Sequence, residues 1–303
     1  MLSLLQAGCR AEPALTITLG GDVILGRDGQ AIFARDPWGG LAQTGSAADG
    51  SQHWFLVNLE SPLASNAGTM PAGREGYNLC APAEAAEILE MGGVDLVSVA
   101  NNHQFDCMES ADPSQEMPGV GYVLESQPVF LESPAGTIAI IAADAVSKPL
   151  DMVSLLASVA EVRAKTDLLI VSLHWGVEYA GEPAPLQRDQ AKQLANAGVD
   201  VLWGHHPHVL QPAEWVDSED GSHRMLALYS LGNLLTDQIM TYETRHYALV
   251  QLRFQRGKIS QISFQPLLLE QKGGQLALAY PDDEAVSHIE ERLGWAELME
   301  FFP

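Results

Sequence analysis

Two short runs of apolar and β-branched residues near the start of the chain predict buried strands. Residues 15–19 run into Asp22, and residues 53–57 run into Glu60. Val, Ile, Thr and aromatic side chains favour extended backbone, and apolar runs of this length are typical of strands that are covered on both faces. Both predicted strands therefore end at a carboxylate.

Three further segments repeat one plan, in which a helix is followed by a buried strand and then by a histidine. The helices are ended by glycine or by a polar pair, as at Gly92 and Gly93 after the first of them. The predicted helices cover residues 82–92, 150–164 and 185–197, and the predicted strands cover residues 94–100, 168–173 and 199–203. This alternation predicts an α/β architecture with a mostly parallel sheet.

The pattern changes after residue 208, where strand-like runs follow one another without helices between them. These runs cover residues 225–229, 248–254 and 259–266, and they predict a second, more antiparallel sheet. Residues 285–300 predict a terminal amphipathic helix. No repeat or linker divides the sequence, so we expect a single domain over residues 15–303 after an N-terminal tail of residues 1–14.

Five of the nine histidines follow directly after the three helix-flanked strands. They are His103, His174, His205, His206 and His208. Ligands of parallel α/β sheets bind beyond the carboxyl ends of the strands, so we expect these imidazoles to face one cleft together with Asp22, Glu60 and Asn102. A single strand-end histidine is more often a structural residue, but five strand ends that each deliver a ligand-type side chain favour a functional site.

The donor types predict which ion such a site would hold. Carboxylate oxygen, amide oxygen and imidazole nitrogen together are typical of Zn, Mn or Fe sites, whereas an all-oxygen Ca site would need no imidazole. We therefore expect one or two divalent transition-metal ions, and the donor types leave the identity of the metal open.

The charge balance supports a metal and excludes one class of partner. Lys and Arg total 16 against 39 Asp and Glu, which gives a formal net charge of -23. A field of this sign repels phosphate backbones, so nucleic acid is not expected as a partner. An anionic substrate would need a bound cation to compensate locally.

The cysteines and the N-terminus leave the cellular compartment open. Cys9, Cys80 and Cys107 are odd in number and widely spaced, which suggests neither a disulfide framework nor a cysteine zinc site. Residues 2–9 resemble the tail of a lipoprotein signal that ends at Gly8 and Cys9, although the apolar stretch is short. A lipid anchor at Cys9 and a frayed terminus with a free thiol are the two interpretations.

Six segments of the chain, in order, closely resemble the signature segments of the CapA family. They are residues 21–27 (GDVILGR), 58–63 (NLESPL), 100–103 (ANNH), 173–179 (LHWGVEY), 204–212 (GHHPHVLQP) and 229–233 (YSLGN). That family is associated with capsule and poly-γ-glutamate synthesis and is related to the calcineurin-like metallophosphoesterases. The resemblance implies a four-layer α/β/β/α sandwich of two mixed sheets with a metallophosphatase-like site at the strand ends.

The resemblance also implies roles for individual residues. The metal ligands would be Asp22, Glu60 as the bridging carboxylate, Asn102, His174, His206 and His208, with His205 as an alternative register. His103 would be the general acid. The chain departs from the superfamily pattern at Ile24, where a histidine ligand is usual, and at Cys107 and Met108, which replace Tyr-Gly after Asp106.

Two functions follow from this interpretation. The first is a metal-dependent hydrolase of cell-envelope polymer metabolism, in which a metal-activated water attacks a phosphoryl or carbonyl centre and His103 protonates the leaving group. The candidate substrate contacts are Arg27, Arg74, Glu178 and Tyr179. The second is a non-catalytic accessory protein that binds the polymer or a synthase partner. Either function predicts an extracytoplasmic location at the cell envelope, and a cytoplasmic location is the alternative. The expected partner is an envelope polymer, its precursor or a polymer synthase complex.

Overall fold

Two mixed β-sheets face each other in this protein, with helices on their outer sides. The computed structural model describes residues 13–27, 32–41, 51–65, 78–107, 117 and 119–302. No helix among these residues has the length and apolar character that crossing a membrane requires.

The first sheet contains the strands that lead to Asp22 and Glu60. Its strands are β1 Leu15–Val23, β2 Gln52–Leu59, β5 Leu96–Ser98, β6 Gly121–Val123, β13 Asn233–Leu235, β14 His246–Gln255, β15 Lys258–Lys272 and β16 Gln275–Ala279. Their order is β16-β15-β14-β1-β2-β5-β6, and β13 also pairs with β1. The strands β1, β2, β5, β6 and β13 run parallel to one another, whereas β14, β15 and β16 are added antiparallel.

The second sheet contains the strands that end at His174 and His205. Its strands are β7 Val129–Ser133, β8 Gly136–Asp144, β9 Leu168–His174, β10 Val201–His205, β11 Ala213–Asp217 and β12 Arg224–Leu228. Their order is β11-β12-β10-β9-β8-β7, with the four central strands parallel and both edge strands antiparallel. A short parallel pair, β3 (Leu63–Ala64) and β4 (Ala81–Pro82), lies apart from both sheets.

The first three helices cover the outer faces of the sheets with their apolar sides, and the last two pack against the apolar cluster between the sheets. They are α1 Ala86–Gly92, α2 Met152–Arg163, α3 Pro185–Asn196, α4 Asp283–Leu293 and α5 Trp295–Glu300. Leu89 of α1 packs on the first sheet, and Val159 of α2 and Leu194 of α3 pack on the second. A third apolar cluster between the sheets includes Ile17 and Trp203. This arrangement confirms the predicted four-layer α/β/β/α sandwich.

Two details of the predicted architecture were wrong. The antiparallel strands β14, β15 and β16 do not form a sheet of their own but extend the first sheet from the free edge of β1. The run at residues 225–229 instead joins the second sheet, parallel to β10. The terminal helix is also two helices, because Gly294 takes a left-handed conformation (φ 60°) between α4 and α5.

Two glycines allow the close backbone contacts that place the strand ends. A Cβ atom on Gly21 would lie 1.9 Å from the carbonyl oxygen of Gly232, and one on Gly204 would lie 2.0 Å from that of Tyr229. Gly21 directly precedes Asp22, whose backbone N donates to Gly232 O (2.9 Å). Any side chain at either glycine would therefore displace the backbone that carries the candidate site.

Cys80 and Cys107 form a disulfide bond, contrary to the sequence-based expectation of no disulfide framework. An odd number of widely spaced cysteines hides such a pair, because the fold and not the spacing brings the two thiols together. Cys80 directly precedes β4, and Cys107 follows the turn that carries His103. The bond therefore ties the His103 turn to the segment beside β4.

We expect the Cys80→Ser/Cys107→Ser double variant to lose about 3–4 kcal/mol of unfolding free energy, because the bond closes a loop with a sequence separation of 27 residues. Urea unfolding with and without a phosphine reductant measures this loss. The reductant should destabilise the wild type and a Cys9→Ser control alike and leave the double variant unchanged. Equal stability of wild type and double variant would contradict a structural role for the bond.

Candidate metal centre

Asp22 lies fully buried where the carboxyl edges of the two sheets meet. Its Oδ1 accepts a hydrogen bond from Asn58 Nδ2 (2.8 Å) on β2, and its Oδ2 accepts one from the backbone N of His206 (3.1 Å) after β10. His208 Nδ1 lies 3.3 Å from Oδ2, and His205 Nδ1 lies 3.5 Å from Oδ1. Burial opposes ionisation, but the hydrogen bond and charge of His208 with the other histidines hold the pKa of Asp22 below its usual range.

Glu60 follows β2 and shares this buried environment. Its Oε1 lies 3.8 Å from His208 Nδ1 and has no hydrogen-bond partner. Burial, together with the negative charge of Asp22, raises the pKa of Glu60, while His208 opposes the shift. His208 shows the complementary effect. Burial alone would lower the pKa of His208, but Glu60 and Asp22 raise it to about 9. These two carboxylates thus need positive charge beside them.

His174 and His206 carry ring nitrogens that are buried without partners. The two rings lie 4.9 Å apart, and neither His174 Nε2 nor His206 Nδ1 is hydrogen-bonded. Burial holds the pKa of His174 well below its usual value and lowers that of His206 to about 4, so both rings are neutral at pH 7. A neutral imidazole is the form that binds a metal ion.

His205, the alternative metal ligand in the last histidine motif, points between the sheets. Its ring is fully buried, packs edge-on against Trp203 at 4.5 Å, and has no hydrogen-bond partner at either nitrogen. The structure brings His206 and His208, not His205, together with a third ligand-type side chain.

His103 lies on a turn after β5 whose conformation is fixed by several hydrogen bonds. Its Nδ1 donates to Asp106 Oδ2 (2.8 Å), and its Nε2 lies 4.0 Å from Glu60 Oε2. Asp106 also accepts from the backbone N of Leu79 (2.7 Å), and Asn78 Nδ2 donates to the Asp106 carbonyl (2.8 Å). The imidazole therefore presents Nε2 to the centre at a partly exposed position, as a general acid must.

The remaining predicted residues differ in their surroundings. Asn102 is half-buried with an Oδ1 that has no partner, as expected of a ligand. Arg27 forms a two-point ion pair with Asp237, so its charge is already compensated. Glu178 and Tyr179 are exposed on the turn after β9. Arg74 lies outside the described residues. The assigned roles of all these residues stay predictions.

Two asparagines in the centre were not predicted as site residues. Asn58 links Asp22 to His174, whose Nδ1 lies 3.3 Å from Asn58 Nδ2. Asn233 pairs in register with Asp22 and accepts from His208 Nδ1 (2.9 Å). Both belong to the segments that resemble the CapA signature, which was the available signal, but an amide that orients a ligand looks in sequence like any strand-end residue.

The residues present fit a divalent cation. Two groups have ligand atoms that all lie within 4.8 Å of one another, one formed by Asp22, Glu60 and His174 and the other by Glu178, His206 and His208. Buried polar atoms without hydrogen-bond partners are costly in a folded protein, and a bound cation would give these atoms a partner. Within the described residues no Lys or Arg is ion-paired with these carboxylates.

A sequence profile of the bacterial capsule synthesis protein family PGA_cap matches residues 16–111 and 122–238. The chain belongs to this family. Among curated relatives of this PGA_cap protein, the PGA biosynthesis protein CapA of Bacillus subtilis is 26% identical over an alignment of 282 residues. That alignment covers 85% of the chain and 72% of the relative. The capsule biosynthesis protein CapA of Bacillus anthracis is 26% identical over an alignment of 291 residues, which covers 86% of the chain and 69% of the relative. The predicted CapA resemblance is confirmed.

Solved structures similar to the PGA_cap chain support its fold. A hypothetical protein from Thermus thermophilus has a TM-score of 0.53 at 15% identity, and the match covers 83% of this chain and 98% of that protein. A novel phosphatase from Mycoplasma pneumoniae has a TM-score of 0.52 at 12% identity, with coverages of 91% and 98%. These likenesses show that the chain shares its two-sheet sandwich fold with both proteins.

The burial of His205 makes the stability of the metal-free protein depend on pH. Burial lowers the pKa of His205 to about 4 against 6.5 in the unfolded chain, so between these values the unfolded state binds a proton that the folded state does not. Unfolding free energy should therefore fall as the pH is lowered through this interval. His205→Phe keeps an aromatic ring packed on Trp203 and removes the group that binds this proton in the unfolded chain.

We expect the pH dependence of unfolding free energy in chelator-treated His205→Phe to be shallower by about 1.4 kcal/mol per pH unit than in the wild type. Urea unfolding at several pH values between about 4 and 6.5 measures both slopes. Parallel curves for the two proteins would contradict a neutral, buried His205.

Proposed function

We propose that this PGA_cap protein is a metal-dependent hydrolase that acts on a phosphoester or amide bond in capsule or poly-γ-glutamate synthesis. The observation that carries the proposal is that buried ligand atoms without hydrogen-bond partners lie close to the imidazole of His103. Glu60 Oε1, His174 Nε2 and His206 Nδ1 all lack hydrogen bonds, and His103 Nε2 lies 4.0 Å from Glu60 Oε2. Unpaired buried polar atoms are costly in a structural core, whereas a hydrolytic centre uses such atoms as metal ligands.

Different residues of the chain would have different roles in such a centre. Asp22, Glu60, Asn102, His174, His206 and His208 would hold the metal, which when bound lowers the pKa of water and stabilises negative charge on the substrate. Asp106 holds the His103 ring by its Nδ1, so that Nε2 delivers a proton to the leaving oxygen or nitrogen. Asn58 and Asn233 keep Asp22 and His208 in orientation.

We propose an envelope polymer or its precursor as substrate and a polymer synthase complex as a partner. The relatives whose names contain PGA and capsule biosynthesis are the basis for the substrate class. The Cys80–Cys107 disulfide supports an oxidising compartment on the outer side of the membrane. Tethering by a lipid at Cys9 would fit that location.

A non-catalytic, polymer-binding role is the second candidate, and Ile24 is the observation that favours it. Ile24 is fully buried, and its backbone N donates to Leu235 O (2.7 Å) in the packing of β1 on β13. The position at which the resemblance implies a histidine ligand is thus part of the apolar core here. A protein that binds metal but hydrolyses no phosphoester or amide substrate would support this second role.

We expect the purified protein to contain about one or two equivalents of a transition metal, and His174→Ala and His206→Ala to lower this content without unfolding the chain. Elemental analysis gives the content, and circular dichroism checks the fold. His223→Ala, a histidine that lies away from the centre and contacts Val199 O, is the matched control. Unchanged metal content in both site variants would remove the basis for the centre.

We expect His103→Ala to retain metal and to lose hydrolysis of substrates with basic leaving groups by about 10²–10⁴-fold, because proton delivery matters most for such groups. Rates on an activated aryl phosphate, an alkyl phosphate and a peptide measure the difference, and the activated ester should suffer least. Equal losses on all substrates would contradict the general-acid role.

A further inference from the structure

The turn after β9 brings one exposed carboxylate to two buried histidines. Glu178, His206 and His208 each offer a ligand atom within 4.8 Å of the others. Glu178 comes from the second sheet's β9 turn, and the histidines come from the turn after β10. Within the described residues the Glu178 carboxylate has no Lys or Arg partner.

The backbone holds these two turns against each other in a costly conformation. The N of Tyr179 donates to the carbonyl of Pro207 (2.8 Å), which joins the turns directly. Tyr179, His206 and His208 all have positive φ values, of 62°, 95° and 58°. Left-handed backbone costs a residue with a side chain on the order of 1 kcal/mol, and such strain concentrates at functional sites.

The ring nitrogens of both histidines are arranged as in ligands. His208 Nδ1 is taken by Asn233 Oδ1 (2.9 Å), which leaves Nε2 as the nitrogen for a cation. His206 is 6% exposed, and its Nδ1 is buried without a partner. Metal-binding histidines characteristically have one nitrogen oriented by a neighbouring oxygen and the other directed at the ion. His206 and His208 therefore provide evidence of a ligand that is independent of the position of Glu178.

The charge of the region favours a cation as that ligand. Asp22 and Glu60 are buried next to the histidines, and Glu178 adds a third carboxylate, whose charge further raises the pKa of Glu60. His208 compensates only part of this charge, and three acids close together without a Lys or Arg partner repel one another and also repel an anionic substrate. A substrate contact at Glu178 would require a hydrogen-bond donor or a cationic group on the substrate, and a neutral donor would leave the repulsion in place, whereas a metal ion relieves it directly.

We propose that Glu178 is a metal ligand and that it forms, with His206 and His208, a second cation site beside the group of Asp22, Glu60 and His174. The inference rests on the proposed metal-dependent function and assigns Glu178 to ion binding instead of substrate recognition. The second ion is held by a donor from the β9 turn, so the buried Ile24 does not reduce the protein to a single ion.

The test counts metal ions in the full chain after treatment with a chelator. Mn²⁺ titration by calorimetry, with elemental analysis after dialysis, gives the stoichiometry of the wild type, Glu178→Gln and His174→Ala. We expect two equivalents in the wild type and, in Glu178→Gln, loss of one or at least tenfold weaker binding of it. Electron paramagnetic resonance should change from a coupled Mn²⁺ pair to an isolated ion. Because Glu178 is exposed, its substitution should leave the fold intact.

Glu182→Gln is the matched control, since Glu182 lies on the same turn but faces Arg188 (3.5 Å). It should retain both ions. Two equivalents bound by Glu178→Gln as tightly as by the wild type, or a single equivalent in the wild type, would overturn the inference and leave the proposed function standing. A wild type that binds no Mn²⁺, Zn²⁺ or Fe²⁺ would overturn both.

Discussion

The ionised carboxylate of Asp22, held without solvent contact between two sheets, is the constraint on which the site depends. Burial opposes its ionisation, but His208 and the other histidines keep it charged. It accepts hydrogen bonds from an amide on β2 and from a backbone N–H that follows β10, so the carboxyl edges of both sheets must meet around it. Trp203 Nε1, which donates to Gly20 O (2.9 Å), and the Ser172–Ser98 hydroxyl contact (3.0 Å) fix the same edge. The strand ends, and with them the candidate ligands, are positioned by this one junction.

The strands that lead to this junction were predictable because they are short, apolar and buried on both faces. β1, β2, β9 and α3 lie within a few residues of their predicted bounds. The choice of sheet was not predictable in the same way. Whether β14 pairs with β1 or starts a new sheet depends on long-range register, and local hydrophobicity is the same in both cases. The break at Gly294 between α4 and α5 likewise depends on a single left-handed residue inside a good helical pattern.

The candidate site was predictable in its ligand types and less so in its supporting residues. Strand-end placement singled out Asp22, His174 and His208, and the structure brings them together. It could not single out Asn233, whose part is to orient His208, or the pairing of Cys80 with Cys107. Those contacts join residues far apart in sequence and have no periodic signal of their own.

The Cys80–Cys107 bond makes a covalently closed ring of the segment that holds α1, β5 and the His103 turn. Within this ring β5 is hydrogen-bonded between β2 and β6, so the ring is anchored in the first sheet. A protease that cut the connection between α1 and β5 would leave both fragments attached through sulfur. The turn that carries His103 would thus remain joined to the sheet after a break in the chain.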